Sequence, residues 1–159
     1  MGSMSLDRLE RTIRPGERVL VDTTTLIAYL NREEAATPVA SHILNEMIQS
    51  GRNRGIVSMV TVMEILVRPL RVGAPEPYQH VMEFITQFPN LSAVPIDLVV
   101  AQEAASVRAM FRLSPPDALI VASGLVRQVH HLVTNDGAWV RKLQPIAARI
   151  RVCQLDRYT

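Results

Sequence analysis

Four acidic residues interrupt otherwise apolar stretches of this 159-residue chain: Asp22 in VLVDTTTLIAYL, Glu64 in VTVMEILV, Asp117 in SPPDALIVASGL and Asp136 in HLVTNDGAWV. A carboxylate in such a stretch is costly to bury unless it caps a helix, pairs with a cation or ligates a metal. Two readings account for all four. As separate caps, each accepts from the first amides of a helix: Ser114-x-x-Asp117 and Thr61-x-x-Glu64 match the capping box, and Asp22 and Asp136 stand where N-caps stand. As one site, they share a hard divalent cation, because clustered carboxylates repel one another and Mg2+ or Mn2+ with oxygen ligands removes that conflict. Asp97, after AVPI, looks the same and is assigned a cap alone.

Other chemistries find no residues. His42, His80, His130 and His131 form no spaced ligand set with Cys153, which argues against zinc. His130 and His131 read as helix-end residues, where an imidazolium suits the dipole. A dehalogenase-type phosphatase needs an aspartate where Thr24 stands. An integrin-type metal site needs a serine in place of Leu26, and a phospho-receiver wants an acid pair at the first strand and a later phosphoacceptor with a lysine, whereas the only lysine is Lys142.

The elements that must position the acids follow from apolar periodicity. RVLVD, GIVSMV, LSAVPI, HLVT and RIRVCQL read as short strands. Helices are expected from Thr23, over residues 36–50, over 61–70, from Pro77 to Phe88, after Asp97, from Ser114 and over 137–143. Strands separated by helices, without hairpin turns, predict an α/β domain with a parallel sheet covered on both faces. Such sheets bind ligands beyond the carboxyl ends of their strands, the edge from which Asp22, Glu64 and Asp136 all start. Asp117 joins them if its helix runs antiparallel to the fourth strand. Two helices between the third and fourth strands upset simple up-and-down counting unless one crosses obliquely.

Composition sets bounds on the rest. With 48% hydrophobic and 20% charged residues, the chain is sized for one domain with one core. Residues 1–3 read as an expression-tag remnant, 4–17 as an N-terminal helical arm with Leu6, Leu9 and Ile13 on one face, and 18–155 as the domain proper. No apolar run reaches membrane-span length, no leader pattern precedes the arm, and the lone Cys153 excludes an intrachain disulfide. A cytoplasmic protein with no membrane association is expected. Net charge is +2, with arginine greatly preferred over lysine. That bias suits phosphate contacts, but a GC-rich genome produces it as well.

Taken together, VLVDTTTLIAYL, VSMVTVMEILVRPL, SPPDALIVASGL and LVTNDGAW resemble the four signature segments of the PIN domain, and in particular of VapC-type toxins of bacterial toxin-antitoxin pairs. The resemblance runs from about Arg18 to Leu155, with the acids 42, 53 and 19 residues apart. It implies a three-layer α/β/α domain with strand order 3-2-1-4-5 and a Mg2+- or Mn2+-dependent endoribonuclease that leaves a 5′-phosphate. Asp22, Glu64, Asp117 and Asp136 match the catalytic, metal-binding acids, Asp136 acting through water or with a second ion. Thr23, Thr24 and Thr134 match the residues that orient them. A homodimer and a small antitoxin are implied as partners beside the RNA substrate, with helices 36–50 and 77–88 as docking faces unless they are mostly core. Arg108 with Arg112, and Arg68 with Arg71, are candidates for RNA phosphate contacts, or else solvated helix faces. A nuclease outside any toxin system, processing RNA or cleaving DNA, and a non-catalytic regulatory or scaffold domain remain as alternatives.

Overall fold

Alternate side chains of each central strand enter opposite cores. In the computed structural model, which describes residues 2–159, Val19 and Val21 of strand β1 (Arg18–Val21) join one apolar cluster while Leu20 joins the other. Strand β2 (Arg54–Ser58) divides Val57 from Ile56 in the same way, and β4 (His131–Thr134) divides Val133 from Leu132. Residues buried on both faces explain why these strands read as continuous apolar runs. With β3 (Leu91–Val94) and β5 (Arg151–Gln154) they form one parallel sheet of order β3-β2-β1-β4-β5. The expected order and layering are therefore observed.

One face is covered by α1 (Gly2–Thr12), α2 (Thr23–Asn31), α3 (Thr37–Ser41) and α5 (Pro75–Gln87). The other carries α6 (Leu98–Phe111), α7 (Pro115–Val126) and α8 (Ala138–Lys142). Helix α4 (Met59–Arg71) serves both, with Ile65 in the first cluster and Val60 in the second. The helix expected over 36–50 is in two windings, because α3 passes into a π-helical segment, His42–Gln49, whose Ile43, Leu44, Met47 and Ile48 are all buried. The apolar side of that segment is core. So is the inner side of α5, where Val81 is buried and Phe84 and Phe88 pack with Tyr29.

Met1, the first residue of the expected tag remnant, lies outside the described residues, and Gly2 and Ser3 are continuous with α1. Leu9 and Ile13 of the arm are wholly buried in the first cluster. Arg52 holds the arm through Ile13 O (2.9 Å) and Glu10 O (2.8 Å), so the segment is built into the domain and does not merely lie on it.

Helix α7 resolves the counting problem. After it ends, His130 N donates to Arg18 O at the start of β1, so α7 descends to the amino edge of the sheet and must begin at the carboxyl edge. It lies close against the strands: a Cβ on Gly124 would come within 2.7 Å of Leu20 Cδ2 and 2.9 Å of Val129 Cγ2. Helix α6 buries only the stripe Val100, Ala104 and Val107, and rests on α7 in place of the sheet. Two consecutive helices thus fit on one side because only the second is a sheet helix. At the amino edge His131 starts β4, buried, with Nε2 3.0 Å from Glu17 Oε1. Burial pushes its pKa below the usual histidine value against the pull of Glu17, so it is a neutral strand residue and not the helix-end imidazolium expected.

Candidate active site

Sheet pairing extends one residue past β1, where Asp22 N donates to Val133 O (3.2 Å). Asp22 stays extended and caps α2, its Oδ1 accepting from Thr25 N (3.0 Å) and from the Thr24 hydroxyl (2.8 Å). Its Oδ2 accepts from the Thr134 hydroxyl at 2.6 Å. The side chain is buried, and every one of these donors is neutral. Burial raises its pKa, opposed by the hydrogen bonds from Thr134, Thr25 and Thr24. Asp22 is thus a satisfied acceptor that lacks a counter-charge.

The threonines carry the connection to the other acids. Thr134 Oγ1, while donating to Asp22, accepts from Asp136 N (2.9 Å), and Thr24 Oγ1 accepts from Asn135 N (2.8 Å). The Thr23 hydroxyl donates to Glu64 Oε1 at 3.0 Å and lies 3.1 Å from that of Thr61. The TTT run at the start of α2 therefore ties Asp22 to Glu64 on one side and to the Asp136 turn on the other. Asp136 Oδ1 accepts from Ala138 N (2.9 Å), where α8 begins.

The Thr61-Glu64 capping box is not formed. Strand β2 ends at Ser58, whose hydroxyl caps α4 by accepting from Val60 N (3.2 Å), so Thr61 is already inside the helix and Glu64 turns to Thr23. Of the Ser114-Asp117 box only half exists. Ser114 Oγ accepts from Asp117 N (3.4 Å), while the Asp117 carboxylate accepts from Lys142 Nζ (2.9 Å). Lys142 ends α8, the helix that follows the Asp136 turn, and so ties that helix to the start of α7. The sequence assigned no site role to Lys142 or Ser58 and gave Thr61 a cap that Ser58 makes instead. A pattern S-M-V-T offers two equally good caps, and nothing local links residue 142 to residue 117.

The donor set suits a hard divalent ion. It is all oxygen; the only thiol, on Cys153, is buried in β5 and pushed up to about 11. A buried carboxylate surrounded by neutral donors is also the environment that a cation stabilises. Among the described residues, no three His, Cys, Asp or Glu side chains stand close enough to enclose one ion. Each acid is turned instead onto a protein donor: Asp22 onto Thr134, Glu64 onto Thr23, Asp117 onto Lys142.

The four candidate arginines separate by position. Arg108 Nε donates to Leu113 O (3.2 Å), tying down the end of α6, and Arg112 is the left-handed residue (φ 55°) that closes that helix. Arg68 is one turn beyond Glu64 on α4, and both line a groove of about 510 Å³ with Ile27, Leu30, Val72 and His80. Arg71 is exposed outside it.

The family model described as the PIN domain matches residues 19–142, a span that contains all four acids. The chain belongs to the PIN-domain family. Solved structures share this PIN fold at low sequence identity. The VapBC2 complex of Rickettsia felis, bound to a promoter DNA fragment, aligns with a TM-score of 0.64 and 14% identity over 86% of this chain and 98% of that one. The DNA-bound VapBC of Salmonella typhimurium gives 0.61 and 20% over 87% and 98%. VapC20 of Mycobacterium tuberculosis, described as a sarcin-ricin loop cleaving toxin, gives 0.61 and 15% over 75% and 90%. A comparison with curated protein sequences finds no match. No helix of the described PIN domain is long and apolar enough to cross a membrane.

Proposed function

We propose that this PIN domain is a divalent-metal-dependent endoribonuclease acting as the VapC-type toxin of a type II toxin-antitoxin pair. The observation that carries the catalytic reading is Asp22, a buried carboxylate at the switch point of a parallel sheet, joined through Thr134 to the Asp136 turn and followed in sequence by Thr23, which donates to Glu64. The toxin reading is supported by family membership and by a fold shared with VapBC complexes.

In this reading Asp22, Glu64 and Asp117 hold Mg2+ or Mn2+, and Asp136 acts through water. The bound ion supplies Lewis-acid activation of water and neutralises charge on the phosphodiester. Thr134 and Thr24 keep the Asp22 carboxylate in one orientation, and Thr23 does the same for Glu64. Arg68, on the same groove as Glu64, attracts the RNA backbone toward the acids. The protein works in the cytoplasm as a homodimer, and a small antitoxin blocks it.

The test is cleavage of end-labelled RNA with Mn2+ or Mg2+ and with excess chelator. Cleavage leaving 5′-phosphates, abolished by chelation, is expected; cutting that persists in chelator refutes the metal role. Growth arrest on expression, relieved by the product of an adjacent small reading frame, separates a toxin from an RNA-processing enzyme. Arg68→Glu is expected to weaken RNA binding and to lower the salt-dependence slope by about one or more charges. An unchanged slope removes Arg68 from the RNA path.

A further inference from the structure

We propose that Lys142 is a built-in counter-cation that holds Asp117 in the metal-free protein and must release it when the divalent ion binds, so that this one lysine sets the metal affinity of the site. The inference rests on the reading of Asp117 as a metal ligand. Its own basis is the contact that occupies Asp117.

Lys142 is the only lysine in a chain otherwise provided with arginine. Its ammonium lies 2.9 Å from Asp117 Oδ2 and 5.3 Å from the centre of the Trp139 ring, and so has both an anion and an aromatic face as partners. Trp139 is almost fully buried and anchors α8, whereas the lysine and the aspartate are each about one-third or less exposed. The ammonium therefore reaches Asp117 from a helix that Trp139 anchors in the core. No other side chain donates to the Asp117 carboxylate among the described hydrogen bonds.

An ammonium 2.9 Å from Oδ2 and a divalent ion on either oxygen of the same carboxylate repel one another, so an ion at Asp117 weakens the Lys142 contact. Lys142 supplies the charge that offsets the Asp117 carboxylate when no ion is present. On ion binding it swings away from Asp117 on its flexible stem while keeping the Trp139 face it already has as a partner. An arginine at this position would grip the carboxylate with a planar fork and resist that release.

Two measurements on the whole protein test this. Mn2+ calorimetry on wild type, Lys142→Met and Lys142→Arg is expected to show Met binding about 2- to 5-fold more tightly, the gain from removing one partly exposed ion pair, and Arg binding less tightly. In an Asp117→Asn background the Met change should have no effect on affinity. The second measurement uses the single lysine: 13Cε-lysine labelling gives one side-chain NMR signal from this chain, which Mg2+ should shift in step with calorimetric saturation. In Asp117→Asn that signal should start near the released position and stay there. Equal Mn2+ affinity in wild type and Lys142→Met, or a lysine signal indifferent to saturating Mg2+, overturns the role of Lys142 and leaves the metal site standing. Absence of Mn2+ binding in every variant overturns both.

Discussion

Asp22→Asn leaves RNA cleavage at background while the metal-free protein melts at the same temperature as wild type or higher. Asparagine is as good an N-cap as aspartate, so its side-chain oxygen keeps the bond from Thr25 N that starts α2. The new amide faces Thr134, whose hydroxyl rotates to accept from it and donates to Thr24 Oγ1, 3.3 Å away. What disappears is the buried charge. Loss of activity should exceed about 100-fold, the upper range for removing a ligand's supporting hydrogen bond, because here the ligand itself is lost.

The pH dependence has a definite sign. Burial raises the Asp22 pKa in the fold above its ordinary value of 3.8, so over that window the folded state binds more protons than the unfolded chain. Stability therefore falls as pH rises through the raised value, and the wild type carries this penalty at neutral pH when no metal is bound. Melting curves from acid to neutral pH in chelator should show wild type losing ground to Asp22→Asn as pH increases. Adding Mn2+ at neutral pH should raise the wild-type melting temperature and leave the variant unmoved. A variant that still cuts RNA removes Asp22 from the site, and a variant much less stable than wild type in chelator at neutral pH refutes the buried-charge account.

Thr134→Val is the second large effect, because one hydroxyl serves two acids. It donates to Asp22 Oδ2 and accepts from Asp136 N, and valine keeps the shape while removing both bonds. The cost should be about 1.5–3 kcal/mol in denaturant unfolding, the range for a hydrogen bond to a charged group. Cleavage should fall by about 10- to 100-fold, since Asp22 loses its orientation and the Asp136 turn its anchor. Thr134→Ser should restore both. If valine lowered stability and left cleavage intact, Thr134 would be structural only.

Much of the architecture is written locally. The five strands declare themselves as short apolar runs, and the caps Asp22 and Asp97 sit where the first free amides of a helix require an acceptor. The carboxyl-edge placement of Asp22, Glu64 and Asp136 follows from the strand or helix start to which each belongs. The strand order came only from the resemblance to PIN domains; periodicity does not contain it. Where local signals tie, they mislead: Ser58 and Thr61 both look like caps, and whether β2 stops at Ser58 is decided by its pairing with β3.

The rest is tertiary. That α6 rests on α7 and leaves the sheet to it depends on how closely α7 approaches Leu20 at Gly124, a contact between residues more than a hundred positions apart. The same holds for the partners of the acids. The residue types and their order along the chain already determined that Asp22, Glu64 and Asp136 start from one sheet edge, because capping and strand ends act over a few residues, whereas Asp117 starts from that edge only because α7 descends along the sheet. Only the folded structure decided that Asp22 would be buried among threonines and that Asp117 would rest against the chain's single lysine, because burial and ion pairing depend on which distant segments the packing brings within 3 Å.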